Sequence, residues 1–172
     1  LALAHWKETR LPVVIVRLFN TVGPRQRGQY GMVVPRFVER ALRGDKLEVH
    51  GNGSQSRCFC HVYDVVQALI SLVDSGQGLG QIFNVGSTEE ISIRELAEHV
   101  IMRLDSPSEI QLIPYEQAYG DGFEDMQRRV PSIDLIQKTI GWAPTRSINE
   151  IVDDVAASIR GELPDADVVT ST

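Results

Sequence analysis

The chain has 172 residues, 42% of them hydrophobic and 23% charged, enough to bury roughly 70% of the unfolded surface in a folded core, which excludes a largely disordered chain. Seventeen Lys and Arg against 23 Asp and Glu give a net charge of −6, which disfavours broad contact with nucleic acid or anionic membrane, so any phosphate has to be met by a local group of cations. No apolar run reaches the roughly 18 residues of a membrane span.

The opening LALAHWKETR lacks the cationic start, apolar run and cleavage site of a signal peptide, and there is no initiating Met, so the chain is expected to be cut from something longer. From Pro12 to Leu18, PVVIVRL reads as a strand buried on both faces of a parallel sheet, with neighbours from elsewhere. Val34 to Arg43 reads as a helix, with Pro35 in its first turn, Phe37, Val38, Ala41 and Leu42 on one face, and Gly44 as the stop. Lys46 to His50 alternates Leu47 and Val49 with polar residues, and GNGS turns the chain into a strand over Arg57 to Val62. Asp64 is expected to cap a helix running to Asp74 and closed by Gly76. The run QIFNV at 81–85 reads as a second buried strand, and Ser92 with Glu95 forms a capping box for the helix that follows. Ile110 to Pro114 is a short strand, and Tyr115 to Arg129 an acidic, aromatic loop. Ser132 is expected to cap a helix ending at Gly141. Ser147 and Glu150 repeat the capping box ahead of the stripe Ile151, Val152, Val155, Ala156 and Ile159. The end of the chain, 162–172, reads as a polar tail. Strands and helices interleave, so the class is α/β.

Cys58 and Cys60 make neither a disulfide framework nor a zinc set, so they read as inert buried thiols in a reducing compartment, and His61 as structural. At the end of the first strand stands RLFNTVGPRQ, and ligands of open α/β sheets bind beyond the carboxyl ends of the strands, which puts Asn20 within reach of one.

Four segments in order then resemble the extended short-chain dehydrogenase/reductases, the NAD-dependent nucleotide-sugar epimerases, dehydratases and decarboxylases. RLFNTVGPRQ is similar to that family's R-x-F-N-x-x-G-P, and LEVHGNGSQSRCFCHVYDVV to its L-x-V-x-G-x-G-x-Q-x-R followed by a strand and a helix. FNVGS resembles its last parallel strand, and RRVPSIDLIQKTIGWAP its R-x-P-D-x-x-K-x-x-x-G-W-x-P ending. The resemblance covers residues 1–161 and implies the C-terminal part of a Rossmann-like parallel sheet, with strands at 12–18 and 81–85, plus a small α/β substrate-binding lobe. It implies a nucleotide-sugar substrate, a UDP-sugar above others. Asn20 and the backbone near Val33 would meet the pyrophosphate or ribose side, Glu48 and His50 would hold the base through their main chain, and Arg57 and Arg129 would grip the diphosphate. Arginine suits that role, because its planar fork binds phosphate oxygens bidentately.

The departures matter as much. Ser132 stands where the family has Asp. The glycine-rich phosphate loop and the Tyr-x-x-x-Lys pair that performs the hydride chemistry are absent: Tyr63 is followed by Gln67 and Tyr115 by Tyr119 at the lysine spacing. GNGSQS at 51–56 precedes a strand, so it is no dinucleotide fingerprint. The resemblance therefore implies a nucleotide-sugar-binding portion that is inactive alone, belonging to an enzyme working through a 4-keto sugar. NAD would be held mainly by a preceding half, and LALAHWKE would be the end of a helix used in a homodimer contact. The other reading is a stand-alone nucleotide-sugar-binding or interaction module without catalysis.

Overall fold

A computed structural model describes residues 1–26, 32–115, 117 and 126–162. The order is α1 (Ala2–Thr9), β1 (Ile15–Leu18), β2 (Thr21–Val22), α2 (Val33–Arg43), β3 (Leu47–His50), β4 (Ser56–Cys58), β5 (Cys60–His61), α3 (Val62–Ser75), β6 (Ile82–Val85), β7 (Glu90–Ser92), α4 (Ile93–Arg103), β8 (Ile110–Ile113), β9 (Arg128–Arg129), α5 (Asp134–Ile140) and α6 (Ile148–Arg160). This is an α/β fold with parallel pairing in β1–β6, β2–β5, β3–β8 and β4–β9; among the described residues only β4–β7 is antiparallel.

Two apolar clusters hold these elements. In one, Phe37, Val38 and Ala41 of α2 meet Leu47 and Val49 of β3, Leu96 and Val100 of α4, and Ile151 and Val155 of α6. In the other, Val65, Ala68 and Leu72 of α3 pack with Phe83 and Val85 of β6, Ile136 of α5 and Trp142. The first forms the lobe that carries β3, and the second covers the β1–β6 pair.

Local chemistry fixes the helix ends where the signals are local. Glu95 N donates to Ser92 Oγ at 3.1 Å and Ser92 N to Glu95 Oε2 at 2.9 Å, a complete capping box; Ser147 and Glu150 make the second. Gly44 ends α2 in the left-handed conformation, φ 73°, which costs glycine nothing sterically. Cys58 and Cys60 are free and buried, and burial foremost pushes the Cys60 thiol up to about 12, so it stays protonated and unreactive.

Five expectations need correction. The strand expected over Arg57 to Val62 breaks at Phe59, because β4 pairs with β7 and β9 while β5 pairs with β2, so the chain changes sheets there. The cap of α3 is His61, whose Nδ1 accepts from Tyr63 N at 3.1 Å, and not Asp64. Asp64 is instead buried and accepts from Thr145 N, Thr145 Oγ1 and Arg146 N at 3.1, 2.8 and 3.0 Å, joining α3 to the segment before α6. Ser132 makes no side-chain cap either: the N-cap of α5 is Ile133, and the Ser132 carbonyl accepts from Asn84 Nδ2 at 3.2 Å.

The fourth concerns β1. The strand is Ile15–Leu18, its side chains are half-buried or exposed, and the one strand beside β1 among the described residues is β6. The fifth is that Arg128 and Arg129 form β9, parallel to β4, and do not belong to the loop. Most of that loop, 116 and 118–125, and the expected tail from 163 onward lie outside the described residues.

Candidate functional site

A cleft of about 250 Å³ opens where the end of β1, the start of α2 and the far edge of β3 converge. Five of the six residues singled out from sequence line it: Asn20, Val33, Glu48, His50 and Arg57. Arg129 does not. It lies opposite Arg57 in the β4–β9 register, with its guanidinium 5.5 Å from the centroid of the Phe19 ring.

Each lining residue is placed by a different element. Asn20 follows β1 with φ 38°, a conformation asparagine tolerates better than most residues, and its Nδ2 donates to the Cys58 carbonyl at 2.8 Å. Val33 and Val34 open α2, whose N-cap residue, Met32, supplies no side-chain cap. The first-turn N–H groups of a helix have no partner inside it, so this end carries partial positive charge at the cleft wall.

Strand β3 pairs with β8 through its odd-numbered residues, since Leu47 N donates to Glu109 O and Gly51 N to Ile113 O. The even-numbered main chain therefore faces the other way. There Lys46 O accepts from Arg40 at 2.8 Å, Glu48 O from Arg36 at 3.4 Å and His50 O from Gln55 at 3.3 Å. Side chains thus guard an edge that would otherwise invite another strand. The Glu48 carboxylate turns aside to Arg40 at 3.1 Å, leaving its main chain for the cleft. Burial foremost, then the Arg36 charge, lowers the pKa of His50 against the opposing effect of Glu48, so the ring is neutral at pH 7. Gly51 is needed beyond it: at φ 67°, an added Cβ would stand 2.3 Å from the Tyr115 ring that closes this end of the cleft.

Residues missed from sequence include Gln26, Arg36, Gln55, Phe59 and Tyr115. Three buried polar atoms on the lining, Thr21 Oγ1, Gln26 Oε1 and Arg36 Nε, have no hydrogen-bond partner. Buried groups of this kind are rare in folded proteins and mark places where something polar is accommodated. Gln55 carried a signal in the sequence, at the glutamine of the segment similar to L-x-V-x-G-x-G-x-Q-x-R, and Arg36 a weaker one, as a cation in the first turn of α2 beside the apolar stripe.

The sequence profile described as the NAD dependent epimerase/dehydratase family matches residues 1–86. Among curated relatives, UDP-N-acetyl-alpha-D-glucosaminuronate decarboxylase of Bacillus cytotoxicus is 42% identical over 138 residues, covering 80% of this chain and 43% of that protein. UDP-glucuronic acid decarboxylase 1 of Danio rerio is 37% identical over 147 residues, covering 86% of this chain and 33% of that protein. The chain thus spans less than half the length of these relatives. Among solved structures, UDP-glucose 4-epimerase of Thermotoga maritima, determined with UDP-glucose, superposes with a TM-score of 0.80 at 26% identity, covering 91% of this chain and 48% of that one.

Proposed function

We propose that this chain, which belongs to the NAD dependent epimerase/dehydratase family, is the nucleotide-sugar-binding part of an enzyme that epimerises, dehydrates or decarboxylates a UDP-sugar. The observation that carries the proposal is the cleft itself, which brings together a helix start, an arginine, a strand edge and Asn20 from four separate segments. The names of the two curated relatives favour decarboxylation of a UDP-hexuronic acid among the three outcomes.

In this reading the diphosphate lies between the start of α2 at Val33 and the Arg57 guanidinium, with Arg129 joining from β9. Backbone N–H groups at a helix start and a forked guanidinium both favour an anion. The base lies on the even-numbered edge of β3, against the main chain of Glu48 and His50. Asn20, fixed through Cys58, meets the diphosphate or ribose from the sheet side of the cleft. Binding energy gathered on the nucleotide can hold the remote sugar in one orientation for chemistry.

NAD is the family's cofactor. Its usual cradle is a glycine-rich turn from a strand into a helix, whereas the glycines of 51–54 lead from β3 to β4. The described residues do not fit that group. We assign the hydride chemistry to residues outside this chain, in an enzyme that works as a cytoplasmic homodimer. Two free buried thiols and an α1 with no buried residue agree with that setting.

Calorimetric titration tests the division of labour. The 172-residue chain should bind UDP saturably, should not bind NAD stoichiometrically, and should not turn over UDP-sugars. No UDP binding would remove the nucleotide site; tight NAD binding or turnover would place the chemistry within this chain.

A further inference from the structure

We infer that Arg36 is a specificity-determining residue that makes the cleft select an imide base, uracil or its 5-methyl relative, over cytosine. The inference rests on the reading of β3 as the base-binding edge, and it adds a side chain that neither the resemblance nor the comparisons single out. Three observations carry it.

First, Arg36 reaches the strand edge. Its Nη2 lies 3.4 Å from the Glu48 carbonyl, a long and weak contact, from the first turn of α2 on the cleft wall. Second, its Nε is buried with no partner, although a guanidinium is a donor at every nitrogen. Arg40, one turn on, is better engaged, with the Lys46 carbonyl at 2.8 Å and the Glu48 carboxylate at 3.1 Å. Arg36 is therefore the guanidinium on this edge with a donor still to place. Third, the pairing of β3 with β8 through odd residues directs the Glu48 C=O and the His50 N–H towards the cleft.

Together these groups read, along the edge, as donor, acceptor, donor: Arg36, the Glu48 carbonyl, the His50 N–H. The imide edge of uracil is the complement, with a carbonyl oxygen on either side of the N3–H. Cytosine presents an amino donor, a ring-nitrogen acceptor and a carbonyl acceptor, so either way round it sets acceptor against acceptor at Glu48 and donor against donor at one flank. A second lone pair on the Glu48 oxygen lets it accept from the base while Arg36 stays beside it. Mismatched buried donors and acceptors are costly, whereas matched ones return little beyond what water offers, so the discrimination comes mostly from rejecting the wrong base.

The test compares UDP with CDP, which differ at this edge and nowhere else, on the intact chain and on Arg36→Met and Arg36→Lys, each checked by circular dichroism and thermal melting. The wild type should prefer UDP by tenfold or more. Arg36→Met, which keeps the apolar stem and removes every donor, should weaken UDP about tenfold and bring the UDP:CDP ratio to within about threefold of unity. Arg36→Lys, which keeps the charge with a differently placed donor, should fall between, and a melted Met variant leaves the Lys variant to decide. Equal binding of UDP and CDP by the wild type, or a ratio unchanged in a folded Arg36 variant, would overturn the inference while leaving the nucleotide site standing. Failure of the wild type to bind UDP at all would overturn that site and this inference with it.

Discussion

Replacing Asp64 with alanine is expected to cost the fold about 3 kcal/mol, a sum over the hydrogen bonds lost to a buried carboxylate and the donors left without it. The residue is 3% exposed, and its carboxylate accepts from both backbone and hydroxyl of Thr145 and from the backbone of Arg146, whose guanidinium stands at 3.5 Å. These contacts join the two lobes: α3 belongs to the cluster over the β1–β6 pair, whereas α6, which follows Arg146, belongs to the cluster under the cleft. Burial alone would raise the pKa of Asp64, but the Arg146 and Thr145 hydrogen bonds outweigh it, and the group titrates below its ordinary 3.8. Its contribution is present above that pH and is lost as pH falls through the lowered value. Chemical unfolding at pH 7 should show the full loss, with a melting temperature lower by roughly 6–12 °C. Asp64→Asn, which keeps the shape but loses the charge and one acceptor, should lose less. An alanine variant as stable as the wild type would mean that the two lobes are held together by packing alone.

The second large effect is on binding. Arg57→Ala should weaken UDP by about 1.5–3 kcal/mol, the range for a charge-assisted hydrogen bond, and lysine should not fully restore it because a point charge lacks the fork. Arg57 lines the cleft, and its Nη1 donates to its neighbour's carbonyl, Ser56 O, at 2.7 Å, so the guanidinium is already oriented. Arg129→Ala should cost the same only if ligand binding draws Arg129 away from the Phe19 ring. The pair of variants therefore separates a guanidinium in the cleft from one beside it. Unchanged UDP affinity in both would remove the diphosphate from this part of the cleft.

What was legible in the sequence follows from how local each determinant is. The capping boxes at Ser92 and Ser147 and the stop at Gly44 are settled within one helical turn, and they stand where the sequence puts them. Asp64 also looks like a cap, but its partners lie 81 and 82 residues downstream, and their hydrogen bonds outbid the local use of the side chain. The break at Phe59 escaped for a similar reason: an alternating run gives no sign that its halves join different sheets. In the site, the resemblance named residues by motif, and five of them converge. It missed Arg36 and Gln26, whose significance lies in buried atoms without partners, a property that exists only after the chain is folded.

The central claim, that this cleft binds the nucleotide of a UDP-sugar, is tested most directly by titrating the isotope-labelled chain with UDP and following backbone and side-chain resonances by NMR. The account predicts saturable shifts at Asn20, Val33, Glu48, His50 and the Arg57 guanidinium, with α3, α5 and the distant Trp142 indole unmoved. Saturable binding whose shifts spare that cleft and cluster elsewhere would contradict it.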